Sequence, residues 1–490
     1  MTEGLVIAVP ALPVACGLLI QFARTPRGAD RIHLLGALVT ATAASLLAIV
    51  AFTHSADPIR GTWYVLDGAS GAFLAVVAVI GVLSALVSPG YLTGTQHSLF
   101  ASSRARTWYY LGFHLFWAAL LAVPLVDNLA VAWLLVEATT GASALLVAYS
   151  GRRSALEAGW KYLVLTTFGL TVALTGIFVL YVGLAPHGGV LGTLDWQSIA
   201  RHRSSLSRHA ALLAFLLIIG GLATKIGWAP VHNWLPDAHS ESPPPISAML
   251  SGALLPTVIL VAWRVLVTLG PALHPGVGDA ILMGFGLASL SIAVPFLWRP
   301  LPWKRLLAYS SLEHMGVLAL GIGFANPLAT AGVVLHLAGH ALAKALGFYA
   351  AIPLLQHQAE AGEHPPRGIA RLSTGTATAI GVSLGALSGL PPSPLFFSEL
   401  LILAGGIAGG HLVVAVLAAA LLALGFLGLA HALIEGLLGG EQHHRWQRGR
   451  SVRAVERLAW AMGFGLLALS ACAYLLPGSP AVRMLMGGLT

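Results

Sequence analysis

Charge and cysteine are what this 490-residue chain has least of. Asp, Glu, Lys and Arg make up 9% of it against 57% hydrophobic residues, and the mean hydropathy is +0.83. So few charges cannot cover a water-soluble surface, which excludes a soluble globular protein and indicates a polytopic membrane protein. Only two cysteines occur, Cys16 and Cys472, each in an apolar segment with no second ligand at metal-binding spacing. The chain therefore encodes neither a disulfide framework nor an iron–sulfur site, and any redox centre is expected in another subunit. The net charge of +8 is expected to report membrane topology, not nucleic-acid binding.

What is present is a long series of apolar runs. About fourteen are long enough to cross a bilayer. They lie near 4–22, 33–53, 71–93, 108–125, 128–149, 159–183, 210–229, 245–270, 277–297, 305–323, 328–354, 375–405, 411–437 and 457–476. Glu3 precedes the first run, and Arg24, Arg27 and Arg31 follow it. That polarity is the reverse of a secretory signal, so the run is expected to be a retained span with the N-terminus outside. Alternating the loops from there places seventeen of the 26 Lys and Arg residues on the cytoplasmic side, with a basic loop at Arg445 to Arg457, and only Arg60, Arg201, Arg203, Arg208 and Arg483 outside. The loop from Arg201 to His209 is the one that runs against the positive-inside rule.

Four basic residues fall inside spans. Lys161 and Arg264 lie near span ends, where their heads are expected to reach the interface. Lys225 and Lys344 have no such exit. A Lys at the centre of a spanning helix costs about 2.5 to 3.5 kcal/mol, and such residues face a bundle interior and mark ion or proton paths. Acidic residues at depth are Glu137, Glu313, Glu399 and Glu435. Two spans are also interrupted by proline in corresponding places. Lys225 precedes Gly227-Trp228-Ala229-Pro230, and Gly389-Leu390-Pro391-Pro392-Ser393-Pro394 precedes Glu399. Broken helices at matching positions of two halves point to a transport site built from an inverted repeat. Spans four to eight would then match spans nine to thirteen, pairing Glu137 with Glu313 and Lys225 with Glu399.

His336, His340 and Lys344 recur every four residues, which places them on one helix face as a ladder of protonatable groups. No carboxylate or thiol stands at ligand spacing beside them, so no metal site is expected. Haem would need a second histidine from another helix, for which His114 or His431 could serve. Moving a proton against about 200 mV requires about 4.6 kcal/mol, at about 2.3 kcal/mol per 100 mV. A carrier must therefore change its proton affinity by more than about three pKa units, which burial together with a carboxylate that approaches and retreats can supply. Glu137 is the carboxylate expected to partner Lys225.

Several of these segments resemble one family. Leu134-Leu135-Val136-Glu137, Thr224-Lys225-Ile226-Gly227, Trp234-Leu235-Pro236-Asp237-Ala238-His239-Ser240, Lys304 to Ser311 and His336 to Lys344 are similar to the antiporter-like proton-pumping subunits of respiratory complex I, Mrp sodium/proton antiporters and group 4 membrane-bound hydrogenases. Val136 to Thr140, Glu157 to Tyr162 and Ser311-Leu312-Glu313-His314-Met315-Gly316 resemble most the large antiporter-like subunit of hydrogenase-4 and formate hydrogenlyase. The resemblance spans roughly Leu66 to Glu435. It implies an all-α fold of fourteen transmembrane helices with two inverted five-helix repeats. The expected layout is N-terminal helices at 1–107, a first repeat at 108–270, a second at 271–440, and a basic cytoplasmic loop with the last helix at 441–490.

By motif, Glu137 and Lys225 would form the first-half charge pair, Lys344 with His336 and His340 the connecting relay, and Glu399 the terminal exchange residue. His232, Glu313, His314, Ser247 and Ser251 are accessory candidates. The family usually carries a bridging lysine in the eighth span after Gly-x-Leu-Leu. Here Gly252-Ala253-Leu254-Leu255 is followed by Pro256, so water, Ser247, Ser251 or His232 would have to bridge the halves. The chain is also expected to lack the long lateral helix that some complex I members carry.

The expected function is that of a non-redox, proton-translocating subunit in a prokaryotic cytoplasmic membrane. It would serve an energy-converting oxidoreductase whose partner subunits hold iron–sulfur clusters and a nickel–iron centre. Sodium/proton antiport, inorganic carbon uptake with a zinc-bearing partner, a vestigial membrane anchor and a haem-bearing electron carrier are the competing functions. The haem reading predicts a Soret band, so a featureless visible spectrum of the purified chain eliminates it.

Overall fold

In hydrocarbon the backbone has only itself to bond to, so apolar runs of this length must fold as helices. The computed structural model describes residues 2–55, 57–93, 104–184, 193–361, 367–440 and 450–472. Arg445 and Arg448 of the expected basic loop, Arg483, and residues 473–476 of the last expected span lie outside them.

The helices are α1 (Thr2–Ile20), α2 (Pro26–Thr53), α3 (Gly68–Thr93), α4 (Ala105–Ala122), α5 (Leu129–Val147), α6 (Arg153–Leu184), α7 (Trp196–His202), α8 (Arg208–Ile226), α9 (Trp234–Glu241) and α10 (Pro244–Met249). They continue with α11 (Leu255–Leu269), α12 (Val277–Leu297), α13 (Trp303–Gly323), α14 (Pro327–Ala361), α15 (Ile369–Leu372), α16 (Thr374–Leu387), α17 (Pro394–Ala408), α18 (Leu412–Leu438) and α19 (Arg450–Cys472). A two-residue hairpin pairs β1 (Ile59–Arg60) with β2 (Val65–Leu66) between α2 and α3.

Among the described residues thirteen helical spans are long and apolar enough to cross a membrane, counting α10 to α11 as one. The expected span 375–405 is instead two shorter apolar helices, α16 and α17. The chain is an all-helical polytopic membrane protein. Its helix starts are written in the sequence: Thr25 with Pro26 for α2, Asn128 for α5, Ser207 for α8, and Ser393 with Pro394 for α17 each place a side-chain oxygen on an otherwise unbonded first-turn N–H.

Burial sorts the helices. The span from α10 through α11, together with α13 and α14, is almost wholly enclosed by protein, whereas α1, α2, α18 and α19 present most of their surface outward. The enclosed helices are also those that carry Ser247, Ser251, Glu313, His314, His336, His340 and Lys344. Between α10 and α11, Leu250–Leu254 forms a π-helical turn in which Leu255 N–H bonds Leu250 C=O five residues back. Pro256 supplies no N–H and crowds the carbonyl four residues earlier, and the widened turn lets the helix continue past it.

The loop that runs against the positive-inside rule is folded onto the bundle. Its α7 buries Trp196, whose Nε1 donates to Val126 C=O at 3.2 Å, and Asn128 and Asp195 form an isolated bridge. Arg203 donates to the Thr268 carbonyl at 3.3 Å. Beside it Arg60 pairs with Asp127 at 3.3 Å, and burial pushes the Asp127 carboxyl above the usual carboxylate range against the pull of Arg60 and Arg264.

Arg264 does not reach the interface as its position near a span end suggested. It is buried and donates to Asp67 Oδ2 at 2.9 Å and to Ser70 Oγ at 3.0 Å, tying α11 to the start of α3. Asp67 Oδ1 in turn accepts from Ser70 N–H at 2.6 Å. Removing one partner of such a pair leaves a buried charge uncompensated, at about 3 to 5 kcal/mol. Arg264→Met should therefore lower the thermal midpoint of the detergent-purified protein, and Arg264→Met combined with Asp67→Asn should recover part of the loss. An unchanged midpoint in the single variant would show that the pair does not hold the helices.

Candidate functional site

Lys225 lies in the last turn of α8 and is completely buried. Its Nζ donates to Tyr162 Oη of α6 at 2.6 Å and to Thr140 Oγ1 of α5 at 2.7 Å, and it stands 4.5 Å from the centroid of the Tyr162 ring. Tyr162 Oη continues to Ser143 Oγ at 2.7 Å. No ion pair joins Lys225 to an acid among the described residues. Glu137, one turn before Thr140 on α5, acts on Lys225 only through space. One Glu137 oxygen accepts from Thr167 at 2.8 Å and the other is buried without a partner. The expected charge pair is thus separated in this structure, with a hydroxyl-lined pocket holding the ammonium.

The helix break beside Lys225 follows from its residues. Gly227 adopts φ +79°, a left-handed conformation that disfavours side chains, and closes α8 by donating to Ala223 C=O at 2.9 Å. Two indoles then fix the unwound segment. Trp234 Nε1 donates to the free Thr224 carbonyl at 2.6 Å, and Trp228 Nε1 reaches Met315 C=O of α13 at 2.8 Å. The break is thereby anchored directly to the helix that carries Glu313 and His314. A second break lies between α16 and α17, where Gly389 adopts φ +72°. Glu399 sits half-buried in the second turn of α17, its carboxylate beside Gly389.

In the enclosed centre the polar groups bond across helices. His314 Nδ1 meets His336 Nε2 at 3.1 Å, and His336 Nδ1 meets Ser398 Oγ, the neighbour of Glu399, at 2.9 Å. His340 lies with its ring 5.0 Å from that of His314, and its Nε2 stands 3.5 Å from Ser251 Oγ of the π-helical turn. Ser251 Oγ is itself 2.8 Å from Ser311 Oγ. Lys344 Nζ donates to Leu307 C=O at 2.7 Å and Ser310 Oγ at 2.8 Å. Glu313 is buried with one oxygen unpartnered among the described residues, and its other oxygen occupies the space left by Gly425 of α18, where a Cβ would collide with it.

The ladder on α14 is therefore present, but its hydrogen bonds run through α13. One ring nitrogen from each of His314, His336 and His340 lies within 4.8 Å of the others. That spacing is short enough for a metal ion, whereas direct proton transfer is within reach only between His314 and His336, at 3.1 Å. The bond already formed between His314 and His336 favours the second.

Of the accessory candidates, Ser251, His314 and Glu313 join this cluster. Ser247 bonds instead to Ser242 at 2.6 Å and to the His239 carbonyl at 3.1 Å. His232 is buried beside the first break with Nδ1 unpartnered, and no hydrogen bond connects it to Lys225. His114 bonds His33 of α2 at 3.0 Å, and His431 lies on α18 beside Glu435. The residues that spacing did not single out are Thr140, Tyr162, Ser310, Ser398 and His239. Tyr162 carried a usable signal, a phenol inside an apolar helix within a family-like segment.

Broken helices around a buried line of ionisable groups define a membrane protein of the ion-translocating class. Residues 126–425 match the NADH:quinone oxidoreductase/Mrp antiporter transmembrane family, and the chain belongs to that family. It is an antiporter-like membrane subunit of the kind found in hydrogenase-4, complex I and Mrp-type assemblies. The hydrogenase-4 component F homolog of Methylacidiphilum infernorum is 32% identical over 76% of this chain and 78% of that protein. NADH-quinone oxidoreductase subunit N of Desulforudis audaxviator is 29% identical over 74% of this chain and 70% of that one. In fold, a chain of the membrane-bound sulfane sulfur reductase, an archaeal respiratory membrane complex, superimposes with a TM-score of 0.83 at 20% identity, covering 99% of this chain and 96% of that chain.

A hydrogen bond to a charged group contributes about 1.5 to 3 kcal/mol. Tyr162→Phe should accordingly slow ion transport by about tenfold or more, at about 1.4 kcal/mol per factor of ten. Vesicles containing the assembled complex provide the measurement, and an unchanged rate would remove Tyr162 from the site.

Proposed function

We propose that this chain translocates protons as a membrane subunit of an energy-converting oxidoreductase of the hydrogenase-4 and complex I type. The observation that carries the proposal is Lys225: a fully buried ammonium, held by two hydroxyls with no carboxylate in contact among the described residues, beside a helix break anchored to α13 next to His314. A stably paired lysine would be structural. A lysine whose acid lies one turn of α5 from the hydroxyl that holds it would have two arrangements, Glu137 near or far, and would exchange a proton between them.

In this reading Glu137 and Lys225 form the first-half switch. Ser251, His340, His314 and His336 carry the proton across the centre with Lys344 and Glu313, and Ser398 leads to Glu399 as the terminal exchange group. The fold would consist of an α4–α11 repeat and an inverted α12–α18 repeat. The N-terminus would face outside in a bacterial or archaeal cytoplasmic membrane. Redox chemistry would take place on iron–sulfur and nickel–iron centres in partner subunits. The Mrp membership of the family supports cation/proton exchange as the second reading, which sodium-dependent proton flux distinguishes.

Mass spectrometry of what co-purifies with the natively expressed chain in mild detergent tests the assignment. Recovery of a nickel–iron or quinone-reductase-like subunit with ferredoxin-like partners is expected. Recovery of small membrane subunits alone would favour antiport. Lys225→Met should keep the complex assembled and abolish proton transport, and normal pumping by that variant would overturn the proposal.

A further inference from the structure

His239 on α9 is fully buried, and among the described residues neither of its ring nitrogens has a hydrogen-bond partner. A neutral imidazole carries one N–H and one lone pair, so both polar functions are unsatisfied, at about 1 to 3 kcal/mol each. Buried groups left in this state call for an explanation, commonly bound water or a functional role.

The surroundings supply one. The ladder on α14 places His336, His340, Lys344 and then Phe348 at successive four-residue steps. The imidazole of His239 stacks on Phe348, with ring centroids 5.1 Å apart at 18°. His239 thus occupies the rung after Lys344, contributed by a different helix, and lies within electrostatic reach of Lys344, Lys304 and His340. On α9, Asp237 and Glu241 are four residues apart and share a face, while His239 lies two residues from each on the opposite face. The two carboxylates face outward, to Arg305 at 3.2 Å and Arg152 at 3.2 Å respectively. Lys304 Nζ donates to Ser240 C=O at 2.7 Å and Ser242 C=O at 2.5 Å, fixing the end of α9 against α13.

We infer that His239 is the proton-transfer group joining the Lys344 end of the buried line to the charged surface around Asp237 and Glu241. This rests on the proton-transport reading above. Water between the carboxylate face and the ring delivers a proton to the lone-pair nitrogen of His239. The proton on the other nitrogen passes through a second water to the neutral amine of Lys344. The imidazole is left neutral as its other tautomer, and reverse transfer or a ring turn resets it. The stack on Phe348 keeps the ring plane oriented while both nitrogens stay free for water.

Three variants of the full complex, in membrane vesicles energised by its own electron donor, test this. His239→Phe keeps a flat ring to stack on Phe348 and removes both nitrogens. His239→Gln keeps polar atoms without a titratable ring. Lys225→Met controls for the underlying reading. Proton transport should fall by about tenfold or more in both His239 variants, the scale of a lost acid–base group, while complex abundance and thermal midpoint stay at wild-type values. Wild-type transport by His239→Phe with Lys225→Met inactive would overturn the inference alone, because a ring without nitrogens would then suffice. Wild-type transport by Lys225→Met would instead overturn the reading on which it rests. Should His239→Phe fail to assemble, His239→Gln decides, and full transport by it refutes the role.

Discussion

The structure depends on keeping one ammonium group inside a membrane protein without a carboxylate in contact. Lys225 meets that requirement with a phenol and a hydroxyl, Tyr162 on α6 and Thr140 on α5. Three helices must therefore hold their separations closely, because a charged hydrogen bond weakens within a few tenths of an ångström. The end of α8 at Gly227 and the two indoles that pin the following segment serve this positioning. An isolated lysine at such depth would be expelled or neutralised, so neighbouring packing is a condition of its charge.

The second half meets a comparable demand by a different route. Instead of one cation in a hydroxyl pocket it gathers three imidazoles, a lysine and a carboxylate on α13 and α14, two of the three most enclosed spans. Neutral imidazoles are cheaper to bury than charged groups, and each offers a donor and an acceptor, yet among the described residues His314 Nε2 and His340 Nδ1 have no partner. The π-helical turn before Pro256 places Ser251 against both His340 and Ser311, five residues before the position at which a bridging lysine is expected. A hydroxyl there relays hydrogen bonds without adding charge.

Much of this was legible from residue order. Hydropathy marks spans because hydrocarbon imposes helices, and Gly227, Pro230 and the Gly389 to Pro394 run mark both breaks because those residues cannot continue a helix. Spacing revealed the faces of α14. It did not reveal that His336 bonds His314 rather than His340, since that depends on how α13 and α14 dock. Nor did it show that Tyr162, not Glu137, holds Lys225, or that the Arg264 head turns inward. Each of these is a choice among partners distant in sequence. Hydroxyls such as Ser310 and Ser398 are common in membrane helices, and only the fold distinguishes those that bond an ionisable group.

The Arg264–Asp67 pair also constrains how the protein is made. Its members are 197 residues apart, so Asp67 enters the bilayer region well before its partner exists. At about 5 to 20 residues per second the delay is roughly 10 to 40 seconds, during which Asp67 has only Ser70 and the interface to satisfy it. Its place at the mouth of α3, next to the hairpin and not at mid-depth, suits that wait. Closure of the pair then requires that the eighth span has been threaded, so completion of the first eight spans is recorded in the position of a single carboxylate.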